Sequence, residues 1–232
     1  MLISIQQPEY FPWLGYFHKI LQVDEVVFLD NVQFKKRYFE NRNKIRTFQG
    51  WCWINTPILT KGKYKQNINE VLIDNSQNWN HTVKNTIWLN YKKTPYWKEL
   101  GDDLLSLLSG NFNQLSQLNI SIILMLLDKL NINVNWSLGS SLSTKYSGSE
   151  LILEICKKLR ANAYYSGKDG ANYLNQKDFD NNNIRVIYQD FKHPVYNQFH
   201  GEFYPFMSVI DLFFNYGKKT VDIIMDSKKI KD

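Results

Sequence analysis

The sequence predicts a Rossmann-like α/β fold: a parallel sheet of βαβ units flanked by helices, with a helical insertion. Three observations predict it. The first thirty residues run as apolar segment, amphipathic segment and apolar segment, the strand–helix–strand order of a βαβ unit. The same order recurs near the C-terminal half, in residues 133–138, 149–160 and 163–166. The 232 residues are 44% hydrophobic and 22% charged, a globular balance that buries a core without a metal or disulfide staple.

Each element has its own signal. Leu2 to Gln6 (LISIQ) is a short apolar, β-branched run that Gln7-Pro8 ends. Trp13, Tyr16, Phe17, Ile20 and Leu21 recur at helical steps, and Pro12 suits a first helical turn. Asp24 to Asp30 (DEVVFLD) is the second buried strand. The alternation of Trp51 to Ile58 suggests a strand ending before Pro57, Lys61 to Gln66 a loop, and Asn69 to Ile73 a weaker strand. Residues 79–91, 96–108 and 111–130 have helical spacing, giving an insertion from about 78 to 130 within one domain of residues 1–232. Strands follow at 133–138, 163–166 and 184–188, with a helix at 149–160, turns at 167–170 and 181–183, and a last helix at 208–216. Lys218-Lys219 and Lys228 to Lys231 read as a solvated helix end and a frayed tail.

Composition excludes several classes. Cys52 and Cys156 are too few for a disulfide framework and match no metal motif, so a cytoplasmic protein is expected. The N-terminus lacks the basic and apolar regions of a signal peptide, and the most apolar later stretch, 120–130, is too short to span a bilayer. No P-loop, GxGxxG, HExxH, GxSxG or CxxC occurs, and His18, His81, His193 and His200 are scattered, so no metal site is expected. The net charge of +6 is a mild excess and does not call for nucleic acid.

Three constellations could carry chemistry. In a parallel sheet, ligands bind beyond the carboxyl ends of the strands. The loop after the first strand carries Gln7, Tyr10, Trp13 and Gly15 into a helix start, where free N–H groups suit a phosphate; equally, the aromatics pack and Gly15 allows close helix approach. From Lys35 to Arg46 six cations stand against one acid, Glu40, among aromatics and amides. Gln33, Lys36, Arg37, Asn41, Arg42 and Asn43 there suit phosphates and sugar hydroxyls, the competing reading being a solvated charge run. Asp30 and Ser166, at strand ends, join the substrate-binding set. The third segment, 190–201 with Ser208 and Asp211, offers His193 as a general base oriented by Asp190 or Asp211, with Tyr196 and Gln198 beside it. Asp211 reads equally as a charge at a helix N-terminus.

The runs QPEYFPWLGYF at 7–17, FLDNVQFKKRYFENRNKI at 28–45, YYSGKDGANYL at 164–174 and DFKHPVYNQFHGEFYPFMSVIDLFFNYG at 190–217 resemble the WbqC-like protein family. That resemblance implies a role in bacterial surface polysaccharide (O-antigen, lipopolysaccharide) biosynthesis, as a glycine or other acyl transferase acting on an amino sugar. The expected partners are a nucleotide sugar of UDP or dTDP type bearing that amine and a small acyl or amino-acid donor, with ATP as an acyl activator. His193 and Asp211 are then the catalytic candidates. A non-catalytic nucleotide-sugar-binding or scaffolding protein of polysaccharide assembly is the alternative. Tyr38-Phe39 stand where the family is expected to carry Trp after the basic pair.

Overall fold

The computed structural model describes residues 1–63 and 65–226; Lys228 to Lys231, read above as a frayed tail, lie outside them. Five strands, β1 (Leu2–Gln6), β2 (Glu25–Phe28), β5 (Asn135–Leu138), β6 (Ala163–Ser166) and β7 (Arg185–Tyr188), form one parallel sheet in the order β5-β2-β1-β6-β7. The chain thus works outward from β1 in one direction and then, after β5, returns to its other side. This reversal creates a topological switch point between β1 and β6, whose carboxyl ends diverge into Gln7 and Gly167.

Strand alternation sends Val26 and Phe28 to one face and Ile3, Ile5, Val27 and Leu29 to the other. The second face is covered by α5 (Gly148–Lys158) and α6 (Gln176–Asn181), the latter unforeseen in the sequence. The first face packs against α1 (Leu14–Ile20), α7 (Val209–Tyr216) and the short α8 (Thr220–Met225). α7 starts with a built cap, the Ser208 hydroxyl accepting from the Ile210 N–H.

Residues between β2 and β5 leave the sheet. They form an antiparallel hairpin, β3 (Arg42–Thr47) and β4 (Gly50–Asn55), then α2 (Trp79–Tyr91), α3 (Trp97–Leu108) and α4 (Leu115–Lys129). These elements share one hydrophobic core with α1 and α7. Two expectations change here. The basic run continues into β3, whose Asn43, Ile45 and Arg46 are buried while Arg42 and Lys44 point outward. The expected strand at 69–73 is instead a 3-10 turn at Ile68–Glu70, closed by the reciprocal Asn67 and Glu70 capping box, with only isolated bridges at Leu72 and Ile73.

Candidate functional site

The site is built where the loop after β1 meets the segment after β2. Tyr10 N–H donates to the Phe39 carbonyl at 2.9 Å. The buried Asn119 amide, on α4, donates to the carbonyls of Pro8 and Glu40 at 2.9 and 2.7 Å. These bonds lay residues 8–10 beside 39–40, so that Glu9 and Glu40 act on each other electrostatically. Phe11 takes a φ of +47°, a left-handed backbone that a bulky residue rarely adopts, and its carbonyl accepts from Asn43 Nδ2 at 2.8 Å. From α1, Lys19 Nζ reaches the end of β6, 3.9 Å from where a Cβ on Gly167 would sit. Gln6, Glu9, Lys19, Tyr38, Glu40 and Gly167 therefore converge on the switch point.

Burial pushes the Glu9 carboxyl up to about 7, with Lys19 pulling it down and Glu40 adding to the rise. Burial likewise pushes Glu40 up to about 7, against its own backbone N–H and the charge of Lys35. Lys19 moves the other way, down to about 8, because burial outweighs the attraction of Glu9. The Tyr38 phenol is raised by burial and then by the charges of Glu9, Glu40 and Asp169. Glu9 Oε2 and both Glu40 carboxyl oxygens are buried without a donor from another residue, as are both polar side-chain atoms of Gln66. Native interiors rarely leave such groups unpaired.

Next to this buried cluster lies a pocket of about 550 Å³ lined by Gln33, Phe34, Lys35, Lys36, Lys63 and Gln66. Lys35 links the two, since it acts on Glu40 and lies 5.5 Å over the Tyr38 ring. Three ammonium groups and two amides are the donor set for a phosphate chain.

The structure distributes the residues singled out in the sequence among different places. Gln7 and Ser166 flank the switch point, the Gln7 carbonyl accepting from Tyr16 Oη at 3.1 Å. Gln33 and Lys36 line the basic pocket, and Arg37 stands exposed beside it with a φ of +61°. Asp30 is used internally: its carboxylate accepts from the Ser140 N–H and hydroxyl at 2.8 and 2.7 Å, tying the end of β2 to that of β5. Asn41 donates to Thr56 and Asn43 to Phe11, both as loop fasteners. Arg42 lies on the outer face of the hairpin, over Trp53.

The helix-start reading changes most. α1 is a seven-residue helix whose N-terminus is closed by protein. Trp13 caps it, packs its ring over Gly15 so closely that any Cβ there would clash, and bridges to Ser208. Tyr10 is fully buried in the core, its ring 4.7 Å from Phe11. His193 sits among Trp13, Phe191, Tyr196, Phe203 and Phe206, with Nδ1 bonded to the Pro194 carbonyl and Nε2 accepting from Phe206 N–H. Both ring nitrogens are thereby engaged, and burial lowers its pKa, so the geometry gives it a loop-holding role. Asp211 is fully buried and accepts from Tyr91 Oη, Tyr196 Oη and Gln198 Nε2 at 3.0, 2.8 and 2.9 Å. That network is closed to solvent and contacts none of the cluster residues named above.

Glu9, Lys19, Glu40 and Asn119 were passed over in the sequence. One signal was legible: Glu40 is the lone acid in the basic run. The burial of Glu9 and the clamp from Asn119 are tertiary facts with no local signature.

A five-stranded parallel sheet flanked by helices, with a polar cluster at its switch point, defines the class: a Rossmann-like α/β protein. Within that class, the chain matches the WbqC-like protein family over residues 7–223, and it belongs to that family. It is 32% identical over 224 residues, 96% of each chain, to a Mycobacterium tuberculosis (strain ATCC 25618 / H37Rv) protein named "Uncharacterized protein Rv1507c". No solved structure matches the chain. Among the described residues, no helix is long and apolar enough to cross a membrane.

Proposed function

We propose that the protein is a transferase of bacterial surface polysaccharide (O-antigen) biosynthesis that places a glycyl, aminoacyl or other acyl group on the amine of a nucleotide-linked amino sugar. The observation that carries this reading is the Glu9–Glu40 pair, two buried carboxyls poised near neutrality with unpaired oxygens, opposite Lys19. An ammonium group supplies the donors those oxygens lack. A carboxyl near pKa 7 also has the proton affinity suited to a general base at neutral pH.

In this mechanism the Lys35, Lys36 and Lys63 pocket binds the nucleotide's phosphates, of UDP or dTDP type, and the sugar ammonium reaches Glu9 and Glu40. One carboxylate takes a proton from that ammonium. The freed amine attacks the carbonyl carbon of the activated acyl donor, the donor's leaving group departs, and loss of the second nitrogen proton leaves an amide. Lys19 stands at Gly167 to steady negative charge on the carbonyl oxygen. The same pocket fits the phosphates of ATP, which when bound would supply activation of an acyl carboxylate. Asn43 and Asn119 act as positioning residues, because they fix the loop that carries Glu9. A cytoplasmic location goes with this substrate class.

The test is amide formation, read by mass spectrometry, from UDP- and dTDP-linked amino sugars with aminoacyl and acyl donors, with and without ATP. Glu40→Gln is expected to lower kcat by about 100-fold or more and to weaken nucleotide-sugar binding by less, about tenfold. Tight binding with no product from any donor would replace the transferase by the non-catalytic nucleotide-sugar-binding reading.

A further inference from the structure

The β3–β4 hairpin carries a second constellation, outside the buried cluster. Its register pairs Arg42 with Asn55, Lys44 with Trp53 and Arg46 with Trp51. Alternation buries Asn43, Ile45 and Ile54 and turns Arg42, Lys44, Trp51 and Trp53 outward, with Trp51 and Trp53 40% and 36% exposed. The Arg42 guanidinium lies 4.3 Å over Trp53, and Lys44 Nζ lies 4.3 Å over Trp51 and 5.3 Å over Trp53. These cations rest on rings rather than on carboxylates; among the described residues the ion pairs are Lys129–Asp103 and Lys158–Glu154. Stacking fixes the Arg42 guanidinium, whose Nη2 donates to the Arg37 carbonyl at 2.5 Å, so the remaining N–H groups of the fork are those open to an anion. Arg42 Nε is buried with no acceptor.

Beside this face, a groove of about 340 Å³ runs between the hairpin and α2, lined by Trp53, Asn55, Gln77, Asn78, Thr82 and Thr86. That volume lies in the range of small-ligand pockets, and its lining sets these amides and hydroxyls beside the apolar Ile54, Pro57, Trp79 and Val83. Hydroxyl-rich ligands need such donors and acceptors, and their C–H faces need an aromatic platform.

We propose that the outer face of the β3–β4 hairpin and the groove against α2 form a binding site for an acidic saccharide. Trp53 packs the sugar ring, Asn55 and Asn78 meet its hydroxyls, and Arg42 and Lys44 hold its carboxylate or phosphate. Single-stranded nucleic acid fits less well, because Trp51 and Trp53 meet edge to face at 89° and give no parallel platforms for successive bases. The proposal stands apart from the acyl-transfer reading, since neither Glu9 nor Glu40 enters it.

Isothermal titration calorimetry tests it with a galacturonate tetramer, a neutral glucose tetramer and an eight-nucleotide oligo(dT). The acidic tetramer should bind saturably and at least tenfold more tightly than the other two. Trp53→Ala and Arg42→Ala should each weaken it at least tenfold, and Lys44→Ala should weaken it too. Trp53 is exposed, so its variant should keep its melting temperature within about 2 °C, whereas Arg42 is half-buried and bonded to the Arg37 carbonyl, so its variant should melt a few degrees lower. No saturable heat with the acidic tetramer, equal affinity in the Trp53 and Arg42 variants, equal binding of the neutral tetramer, or tighter binding of oligo(dT) would each overturn the proposal. None of these outcomes bears on amide formation, so either reading can fail alone.

Discussion

Two buried carboxyl sites in this protein have shifted acidities and opposite surroundings. Asp211, at the start of α7, receives three side-chain hydrogen bonds and is still pushed up to about 6 because burial outweighs them. Glu9 and Glu40, at the switch point, are pushed up to about 7 and have carboxyl oxygens that no other residue serves. A raised pKa therefore does not distinguish architecture from a site, whereas satisfaction does. A satisfied buried carboxylate pins the elements around it, and an unsatisfied pair invites a donor from outside.

The largest expected effect comes from breaking the satisfied network. Asp211→Ala would strand the Tyr91 and Tyr196 hydroxyls without their acceptor and leave Gln198 Nε2 only the Tyr204 carbonyl and the Tyr196 oxygen, costing about 3 kcal/mol or more, which for a chain of this length lowers Tm by roughly 6–12 °C. Differential scanning calorimetry measures it. A Tm unchanged within a degree would show that the network pins nothing, and the contrast with the switch-point pair would collapse.

The switch-point pair should behave in the opposite sense. Glu40 holds its proton more tightly folded than unfolded, so its contribution to stability is fully present below its ordinary value of 4.5 and is lost as pH rises towards about 7. Glu40→Gln removes that loss. The variant should match the wild type near pH 5 and exceed it by about 1–3 kcal/mol at pH 8, while losing turnover. Chemical denaturation at the two pH values reads the difference, and a variant less stable at pH 8 would make Glu40 an architectural residue like Asp211.

Asn43→Ala sharpens the contrast at smaller scale, because Asn43 belongs to the frame but serves that pair. Losing its bond to the Phe11 carbonyl frees a backbone held at a φ of +47° and should cost about 1–2 kcal/mol. If the loop it fixes carries Glu9 into place, kcat should fall more than this instability explains at temperatures where the fold is intact. An unchanged kcat would confine Asn43 to the frame.

The same contrast explains what was legible in the sequence. LISIQ and the strand at 163–166 declare themselves as short apolar runs, buried on both faces of the sheet, and the helix at 79–91 through the helical spacing of the one face it buries. β3 was hidden because RNKIRT alternates cations with the buried Asn43 and Ile45 and reads as a charge run. Asp211 and His193 looked catalytic because polar and aromatic residues crowd that stretch, and only the bonds they accept from Tyr91 and from Phe206 reveal how they are used. Glu9 and Glu40 escaped for the converse reason. Their proximity depends on Asn119, about eighty residues beyond Glu40, holding both loops at once.

The smallest effect is expected at His193, and it tests whether satisfaction also sorts the histidines. With Nδ1 bonded to a carbonyl and Nε2 accepting from Phe206 N–H, the ring is held neutral, and burial lowers its pKa below the usual 6.5. A depressed value means the contribution to stability is present above pH 6.5 and is lost as pH falls through the folded value, when protonation breaks the bond from Phe206. His193→Gln should therefore soften the acid side of the stability profile by a degree or two in Tm and leave kcat at pH 8 within about threefold. A kcat that falls as far as in Glu40→Gln would move the proton-transfer role back to His193 and leave Glu9 and Glu40 to bind the ammonium alone.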